Sequence, residues 1–440
     1  MPSIVRQPRF AVPFGRGEIA FDLPPGVTGR QVVTHPAPPL ANPAAAATAA
    51  IGTPVGTPSL REMATGKQRV RIAVTDATRA CPDHVLVPPM LAELAAAGVP
   101  DEAIVLIVAV GAHRASTDAE KREKLGDAIV DRYRVIDHDG ADDANLVAVM
   151  EGPGGVPFRI NRHIIEADLV LSTGVVEPHQ YAGFSGGGKT VAIGCADDAT
   201  IAYTHGPAML DQSGTRLAQL AGNPFQEAVR AVARAAGLVF AGNAVLDDAG
   251  RMVAVAYGAP EAVQDHLAEI ASPLFTTPIP TQVDIAVAGV GHPKDVNLYQ
   301  ASRAASYLQF APIPVVRRGG VIIIPAACPE GAGEGVGEQR FRAAMEAAAP
   351  DEVIVRARRD GIRPGEQRAY VMARVLQDVR VIVAGIEDPE TARAVRCLPA
   401  HDLDEALMMA VDLIGAPAAA LVIPHALLTL PIVQNAVSAG

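Results

Sequence analysis

The sequence lacks a basic surplus. Its 440 residues carry 37 Lys plus Arg against 48 Asp plus Glu, a formal charge of −11 at pH 7. No cationic field is therefore present to hold a nucleic-acid backbone or an anionic membrane, and neither partner is expected. A small anionic substrate has to be caught by a few positioned Arg or Lys side chains. Long apolar runs are also missing. The longest, Ala103 to Ala112, falls well short of the roughly 18 residues that suggest a membrane span. The amino-terminal stretch MPSIVRQPRFAVPFG has no apolar core of signal-peptide length, so a cytoplasmic location is expected. Cysteine is scarce: Cys81, Cys195, Cys328 and Cys397 are far apart and form no CxxC pair. That pattern argues against a disulfide framework or a zinc knuckle and leaves packed thiols.

What is present is apolar mass. Hydrophobic residues make up 49% and charged ones 19%, enough to offset the ordering entropy of folding. Single cores stop growing near roughly 250–300 residues, so two domains are expected. Buried-strand patterns at VRIAVTD (Val70), AIVLIVAVG (Ala103) and DLVLSTG (Asp168) alternate with helical stretches such as NPFQEAVRAVARAAG (Asn223). A second set follows: VDIAVAG (Val283), GGVIIIPA (Gly319) and RVIVAG (Arg380), with helices near Leu298, Arg340 and Asp404. The alternation implies an α/β protein with two α/β domains built on parallel-type sheets. The proline-rich stretch ASPLFTTPIPTQ, 271–282, reads as the linker. The expected division is an N-terminal domain over 1–275, a C-terminal domain over 276–418, and a tail, 419–440, that can return to the N-terminal domain. Within the first domain, 36–58 is Pro, Ala and Thr without a usable period and reads as an extended arm.

Polar and ionisable groups gather just past strand ends, where open α/β sheets put their sites. DATRACP (Asp76 to Pro82) sets Asp76 and Arg79 three apart in a strand-to-helix turn. That spacing suits an anion or, equally, an N-cap with a surface Arg. GAHR puts His113 at the mouth of the most apolar strand, as a candidate general base or a satisfied loop histidine. GVVEPHQYAGFSGGGKTVAIGCADDATIAYTH, Gly174 to His205, is the densest segment. It contains GFSGGGKT, a literal phosphate-loop match. The match is poorly set, because nine residues separate it from the preceding strand and VAIGCADD opens no amphipathic helix. A phosphate-loop NTPase stays as the alternative. The glycines at 183, 186, 187 and 188 read as allowing close backbone approach to a ligand. Lys189 emerges from that loop as a nucleophile able to form an imine or amide, and His179 and His205 flank it as imidazoles able to hold nickel, copper or zinc. In GHPKDVNLYQASRA, Gln300 and Arg303 fall at i and i+3 with Tyr299 beside them, a carboxylate clamp or a solvated helix face. CPEGAGEGVGE, Cys328 to Glu338, adds glycine-rich loop backbone and three carboxylates of no assigned role.

Taken together, DATR, GAHR, PHQYAGFSGGGK, the following His205 and NLYQASR resemble the lactate racemase family of nickel-pincer-nucleotide-dependent 2-hydroxy acid racemases and epimerases. They do so in order and spacing from about residue 70 to 340. The resemblance implies that Lys189 carries the nickel-pincer nucleotide (a pyridinium-3,5-bisthiocarboxylic acid mononucleotide) through a thioamide, and that His205 ligates its nickel. It implies His113 and His179 as the acid–base pair. Asp76, Thr78, Arg79, Ser185, Gly186, Gly187 and Tyr299 fall to cofactor binding, and Gln300 and Arg303 to the substrate carboxylate. Proteins that synthesise the cofactor are the implied partners, and a cleft between the domains is the implied site. The C–H of a 2-hydroxy acid is too weakly acidic for simple abstraction at neutral pH, which favours hydride transfer with inversion through a planar 2-keto acid. Two departures point away from lactate: Arg303 stands where lactate racemases have Lys, and the chain has no Trp. Gly188, commonly Arg in the family, completes the phosphate-loop match, and AIGCA replaces the usual Pro-Gly after the lysine. A homologue that binds cofactor without turnover is the non-enzyme alternative.

Overall fold

The computed structural model describes residues 10–152, 155–363 and 365–434. The chain divides into two units, one of Pro36–Leu274 and one of Met1–His35 with Phe275–Gly440. The crossing near residue 275 falls inside the expected linker. The amino-terminal residues, however, belong with the carboxy-terminal half.

The Pro36–Leu274 unit is built on a six-stranded sheet. In spatial order its strands are Met252–Gly258, Leu238–Leu246, Leu169–Val175, Val70–Thr75, Ile104–Ala109 and Arg134–Asp137. All neighbours are parallel except Met252–Gly258, which pairs antiparallel with Leu238–Leu246. The three strands read from the sequence form its centre. Val70, Ile72, Leu106, Ile107 and Leu171 are fully or almost fully buried, as continuous apolar runs in a parallel sheet require. From Val70–Thr75 the chain moves outward through Ile104–Ala109 to Arg134–Asp137, then returns to the other side through Leu169–Val175. That reversal leaves a crevice at the carboxyl ends of Val70–Thr75 and Leu169–Val175, the topological switch point where α/β sheets bind ligands.

The expected arm contains a helix, Pro43–Ile51. Asn42 caps it by accepting the Ala45 N–H at 3.0 Å, Pro43 occupies the first turn, and Ala47 and Ile51 are buried. Its interior is nearly all alanine, so a good helix former shows no hydrophobic period.

In the second unit the order is Leu398–Ala400, Arg380–Ala384, Val316–Pro325, Val283–Ala288, Ala418–Ile423 and Val27–Gln31, all parallel. Two assignments are corrected here. Ala418–Ile423 lies inside this sheet, between Val283–Ala288 and Val27–Gln31, so the described part of the expected tail 419–440, residues 419–434, does not return to the N-terminal domain. Val27–Gln31 supplies the edge strand that covers it, since an unpaired strand with buried Leu421, Val422 and Ile423 would expose both apolar surface and open hydrogen-bonding groups. The order again reverses at one strand: Val283–Ala288 sits between the outward series and Ala418–Ile423. The segment carrying Tyr299, Gln300 and Arg303 follows that strand.

His138 ties the first sheet to the loop after Lys189. It donates from Nε2 to the Ala196 carbonyl at 2.9 Å and accepts the Asn161 amide at Nδ1, 3.1 Å. Burial holds its imidazole below the ordinary range, against the pull of the Ala196 bond and of Asp139, Asp197 and Asp198. Below the unfolded value of about 6.5, the unfolded chain therefore takes up a proton that the folded chain resists, and stability falls with pH. His138→Gln is expected to flatten that loss between about pH 7 and pH 5, read as urea midpoints across the range.

Candidate active site

Asp76 stands directly after Val70–Thr75 and is 5% exposed. Its Oδ2 receives the His113 Nδ1–H at 2.7 Å, and Thr78 Oγ1 donates to both carboxylate oxygens at 2.9 and 3.1 Å. Burial alone would raise the Asp76 carboxyl. The His113 bond and charge, the Arg79 charge and Thr78 outweigh it, holding the group below the usual carboxylate range. The bond also fixes the His113 tautomer: with Nδ1 protonated toward Asp76, Nε2 carries the lone pair.

His179 is set the other way. It lies in a short antiparallel pairing of Pro178–His179 with Gly183–Phe184, and its Nδ1 accepts the Tyr181 and Ala182 N–H groups at 3.3 and 3.2 Å. A neutral imidazole bonded so carries its proton on Nε2. The ring lies 5.7 Å from Tyr181 and 6.0 Å from Phe225. His205 packs on the same two rings, at 5.7 and 5.1 Å, both edge-on. Its Nδ1 donates to the Ile201 carbonyl at 3.1 Å, which leaves the lone pair on Nε2. Burial, then the Lys189 and Arg79 charges, push the His205 imidazole down to about 3, against the Ile201 bond. It is neutral throughout the physiological range, as a metal ligand must be.

The glycine-rich loop differs from its sequence reading. A Cβ on Gly183, at φ +77°, would collide with the Gln219 backbone. One on Gly186, at φ +83°, would stand 2.6 Å from Val176 Cγ2 and 2.8 Å from Asn243 Oδ1. The space opened by these glycines is filled by the protein and not by a ligand. The polar groups are spent likewise. Ser185 Oγ donates to the Val175 carbonyl at 2.6 Å, Gly187 N–H goes to Asn243 Oδ1 at 2.7 Å, and Gln264 Nε2 bonds the Ser185 carbonyl at 3.1 Å. A phosphate loop needs such amides turned to the anion and a helix behind them. Here the helix, Lys189–Ala192, has four residues, so the NTPase alternative is not favoured. The loop presents Lys189, partly accessible, at its end. Asn243 and Gln264, both fully buried, are the loop's supports and were not singled out from sequence. Asn243 had a signal, as a lone amide in the apolar run VFAGNAVL.

In the other unit, Leu298–Ala301 and Arg303–Gln309 are separate short helices meeting at Ser302. The expected pairing nevertheless holds: Arg303 donates from Nη1 to Gln300 Oε1 at 3.3 Å and from Nη2 to the Tyr307 hydroxyl at 3.2 Å. Tyr299 packs edge-on against Phe341 at 5.7 Å and lies under the Arg368 guanidinium, also at 5.7 Å. The run 328–338 acquires a role here. The Gly331 and Ala332 carbonyls accept the Leu298 and Tyr299 N–H groups, and Glu330 and Glu338 receive the Asn297 amide.

Comparison with known proteins matches residues 14–218 to the lactate racemase N-terminal domain and residues 278–430 to the lactate racemase C-terminal domain. The chain belongs to the lactate racemase family. It is 29% identical to the lactate racemase of Thermoanaerobacterium thermosaccharolyticum over 94% of this chain and 96% of that one. It is 32% identical to the lactate racemase of Lactiplantibacillus plantarum over 86% and 88% of the two chains. The apoprotein structure of the Thermoanaerobacterium lactate racemase superposes with a TM-score of 0.87, covering 96% of this chain and all of that one at 28% identity. A Thermotoga maritima protein shares the fold alone, at a TM-score of 0.65 and 20% identity, covering 86% and 98% of the two chains. This member of the lactate racemase family is an isomerase, a racemase by its relatives. Among its described residues no helix is long and apolar enough to cross a membrane.

The loop that presents Lys189 tolerates no side chain at its first residue. Gly183→Ala is expected to destabilise this racemase by about 2–4 kcal/mol through strain at positive φ and the Gln219 collision, measured by urea unfolding. An unchanged midpoint would mean that the close approach does not exist.

Proposed function

We propose that the protein inverts the C2 centre of a 2-hydroxy acid other than lactate, by reversible proton-coupled hydride transfer with a nickel-pincer nucleotide. The observation that carries this reading is the opposite setting of two imidazoles. His113 presents a lone pair at Nε2 because Asp76 takes its Nδ1–H, and His179 presents an N–H at Nε2 because backbone N–H groups occupy its Nδ1. A racemase needs one group ready to take a proton and another ready to give one.

The residues present suit the cofactor. Among the described residues no group of three or more His, Cys, Asp or Glu side chains could hold a metal ion. One neutral imidazole, His205, then suits an ion whose remaining donors come from an organic ligand. Lys189, at the end of a locked loop, would be the point of attachment. When bound, the nickel-pincer nucleotide supplies a hydride acceptor and donor.

The chain's own residues do the rest. His113 Nε2 takes the hydroxyl proton as the C2 hydrogen leaves with its electron pair, giving a planar 2-keto acid. Return of a proton to that oxygen, as hydride comes back to the opposite face, falls to His179 Nε2 with the ring in its imidazolium form, so that His179 ends neutral and His113 protonated. The positive charge has then passed from one histidine to the other, which is the starting state for the reverse reaction. Asp76 stabilises the His113 imidazolium formed midway. Gln300 and Arg303 hold the substrate carboxylate, with Tyr299 against the cofactor, while Thr78 and Arg79 support Asp76. Ser185, Gly186 and Gly187 serve cofactor binding through the shape of the Lys189 loop. Cofactor-synthesis proteins are the partners in this reading, and the cytoplasm its location.

A panel of 2-hydroxy acids, assayed for loss of optical rotation with protein made beside the cofactor-synthesis proteins, tests the reading directly. No turnover of any member would leave the cofactor-binding alternative. Metal analysis and intact mass should show that His205→Ala loses nickel but keeps the organic adduct, whereas Lys189→Ala loses both. Equal nickel in wild type and His205→Ala would remove that residue from the site.

Each histidine variant should block a different direction. His113→Ala and His179→Ala are each expected to slow full racemisation by about 10²–10⁴-fold, while still forming keto acid in a single turnover from the enantiomer whose base remains. Trapping of keto acid from the same enantiomer by both variants would refute the opposed-base assignment.

A further inference from the structure

One buried carboxylate joins the two loops of the Pro36–Leu274 unit that carry Asp76 and Lys189. Asp83 opens the helix Asp83–Ala96 and is 0% exposed. Thr75 Oγ1 donates to its Oδ2 at 2.6 Å, and Thr173 Oγ1 donates to its Oδ1. These threonines lie on Val70–Thr75 and Leu169–Val175, the two strands that flank the switch point. Burial keeps the Cys81 thiol well above its usual range, and its Sγ donates to Asp83 Oδ1 at 3.6 Å. The countercharge comes from a third element, the helix Asp118–Leu125. Lys124 Nζ pairs with Asp83 Oδ2 at 2.8 Å and is only 12% exposed in its side chain. The same ammonium donates to the Cys81 carbonyl at 2.7 Å and the Arg79 carbonyl at 3.0 Å. All three ammonium donors are thereby used, two of them on the turn that begins with Asp76. On the other side Thr190, next to Lys189, donates from Oγ1 to the Thr173 carbonyl at 2.7 Å.

We propose that Lys124, Asp83 and Thr173 form a positioning network that sets the Asp76–His113 couple and the Lys189 loop in register with each other. The role of those two ends in racemisation rests on the function proposed above; the network itself does not. None of its three members reaches the reacting groups directly. A network bound into two strand ends and two helices holds its geometry because every donor and acceptor in it has a protein partner, and loss of one leaves buried polar groups seeking another. The turn from Asp76 to Cys81 has few other anchors: its internal Asp76–Arg79 hydrogen bond, 3.1 Å, closes the turn without fixing where it lies. Displacement of the Asp76 carboxylate releases His113 Nδ1, and the ring reverts to the tautomer protonated at Nε2, which has no lone pair there to act as base.

The test is the His113 tautomer, read by nitrogen-15 histidine spectra of the full chain without cofactor, above the imidazole titration range. Wild type should show His113 protonated at Nδ1. Lys124→Met, if it keeps the native circular dichroism and a cooperative melt, should show a substantial Nε2-protonated population. Arg122→Met removes an exposed cation from the same helix and should leave the tautomer unchanged. If Lys124→Met does not fold, Thr173→Val carries the test, since it keeps the ion pair and the volume and removes one donor to Asp83; the expected change is the same. A folded variant with His113 still wholly protonated at Nδ1 overturns the proposal. Once a substrate is in hand, kcat should fall about tenfold or more with KM within about twofold, as misplacement of a catalytic group predicts. If wild type shows the Nδ1 tautomer and the variants lose it while no 2-hydroxy acid is turned over, the function proposed above fails and the network stands.

Discussion

Loss of water acts on Asp76, at the end of a central strand, and on His205, at the end of a short helix, alike, and the difference between their outcomes makes the site. Burial disfavours the charged form of either group. For Asp76 it is overcome by His113, Arg79 and Thr78, so the carboxylate stays ionised. For His205 nothing opposes it but one carbonyl, while Lys189 and Arg79 push the same way. Arg79 thus acts twice: one guanidinium favours an anion on one side and disfavours a cation on the other. The result is an ionised carboxylate fixing one imidazole and a neutral imidazole with its Nε2 lone pair available, within one unit of a chain whose net charge is −11.

Such electrostatics require fixed positions, and the sheet provides them. In both units the strand order reverses at one strand, Val70–Thr75 in the first and Val283–Ala288 in the second. The ionisable segments follow those strands or their neighbours. Loops in such places are usually mobile, yet the loop before Lys189 is bonded inward at Ser185 and Gly187 and held by buried Asn243 and Gln264. The amides that could cradle a phosphate are the ones that lock the lysine. A sequence match to a phosphate loop and the opposite use of its backbone are therefore compatible, because the motif records glycine spacing and not where the N–H groups point.

Legibility in the sequence followed the range of the interactions. The central strands could be read because burial on both faces writes a continuous apolar run, as in VRIAVTD and AIVLIVAVG. The helix Pro43–Ile51 could not, since alanine supplies propensity without period. Val27–Gln31, VTGRQ, carries one buried residue in five, and only its partner Ala418–Ile423 makes it a strand. At the site, Asp76, His113, His179, Lys189 and His205 stood out as residue types in segments that follow apolar strands. Their relations did not: Asp76 and His113 are 37 residues apart, and the two imidazole tautomers depend on which acceptors the fold brings up. Lys124 and Asp83 are invisible for the same reason. A lysine in DAEKREKL reads as a solvated helix face, and only packing turns it inward.

Arg303 shows how far such context alters a single substitution. Lysine and arginine carry the same charge, yet the exchange departs from the family pattern, and its weight depends on what the side chain bonds to. In this protein the guanidinium is held at Nη1 by Gln300 and at Nη2 by the Tyr307 hydroxyl, with its carbon 5.6 Å from the Tyr307 ring centre. A planar group so bonded has a fixed orientation, whereas an ammonium on a flexible stem acts as a point charge that can rotate to meet its ligand. On the function proposed above, a substrate carboxylate meeting Arg303 would have to fit the plane already set by Gln300 and Tyr307, so the direction in which it leaves C2 would count as well as its charge.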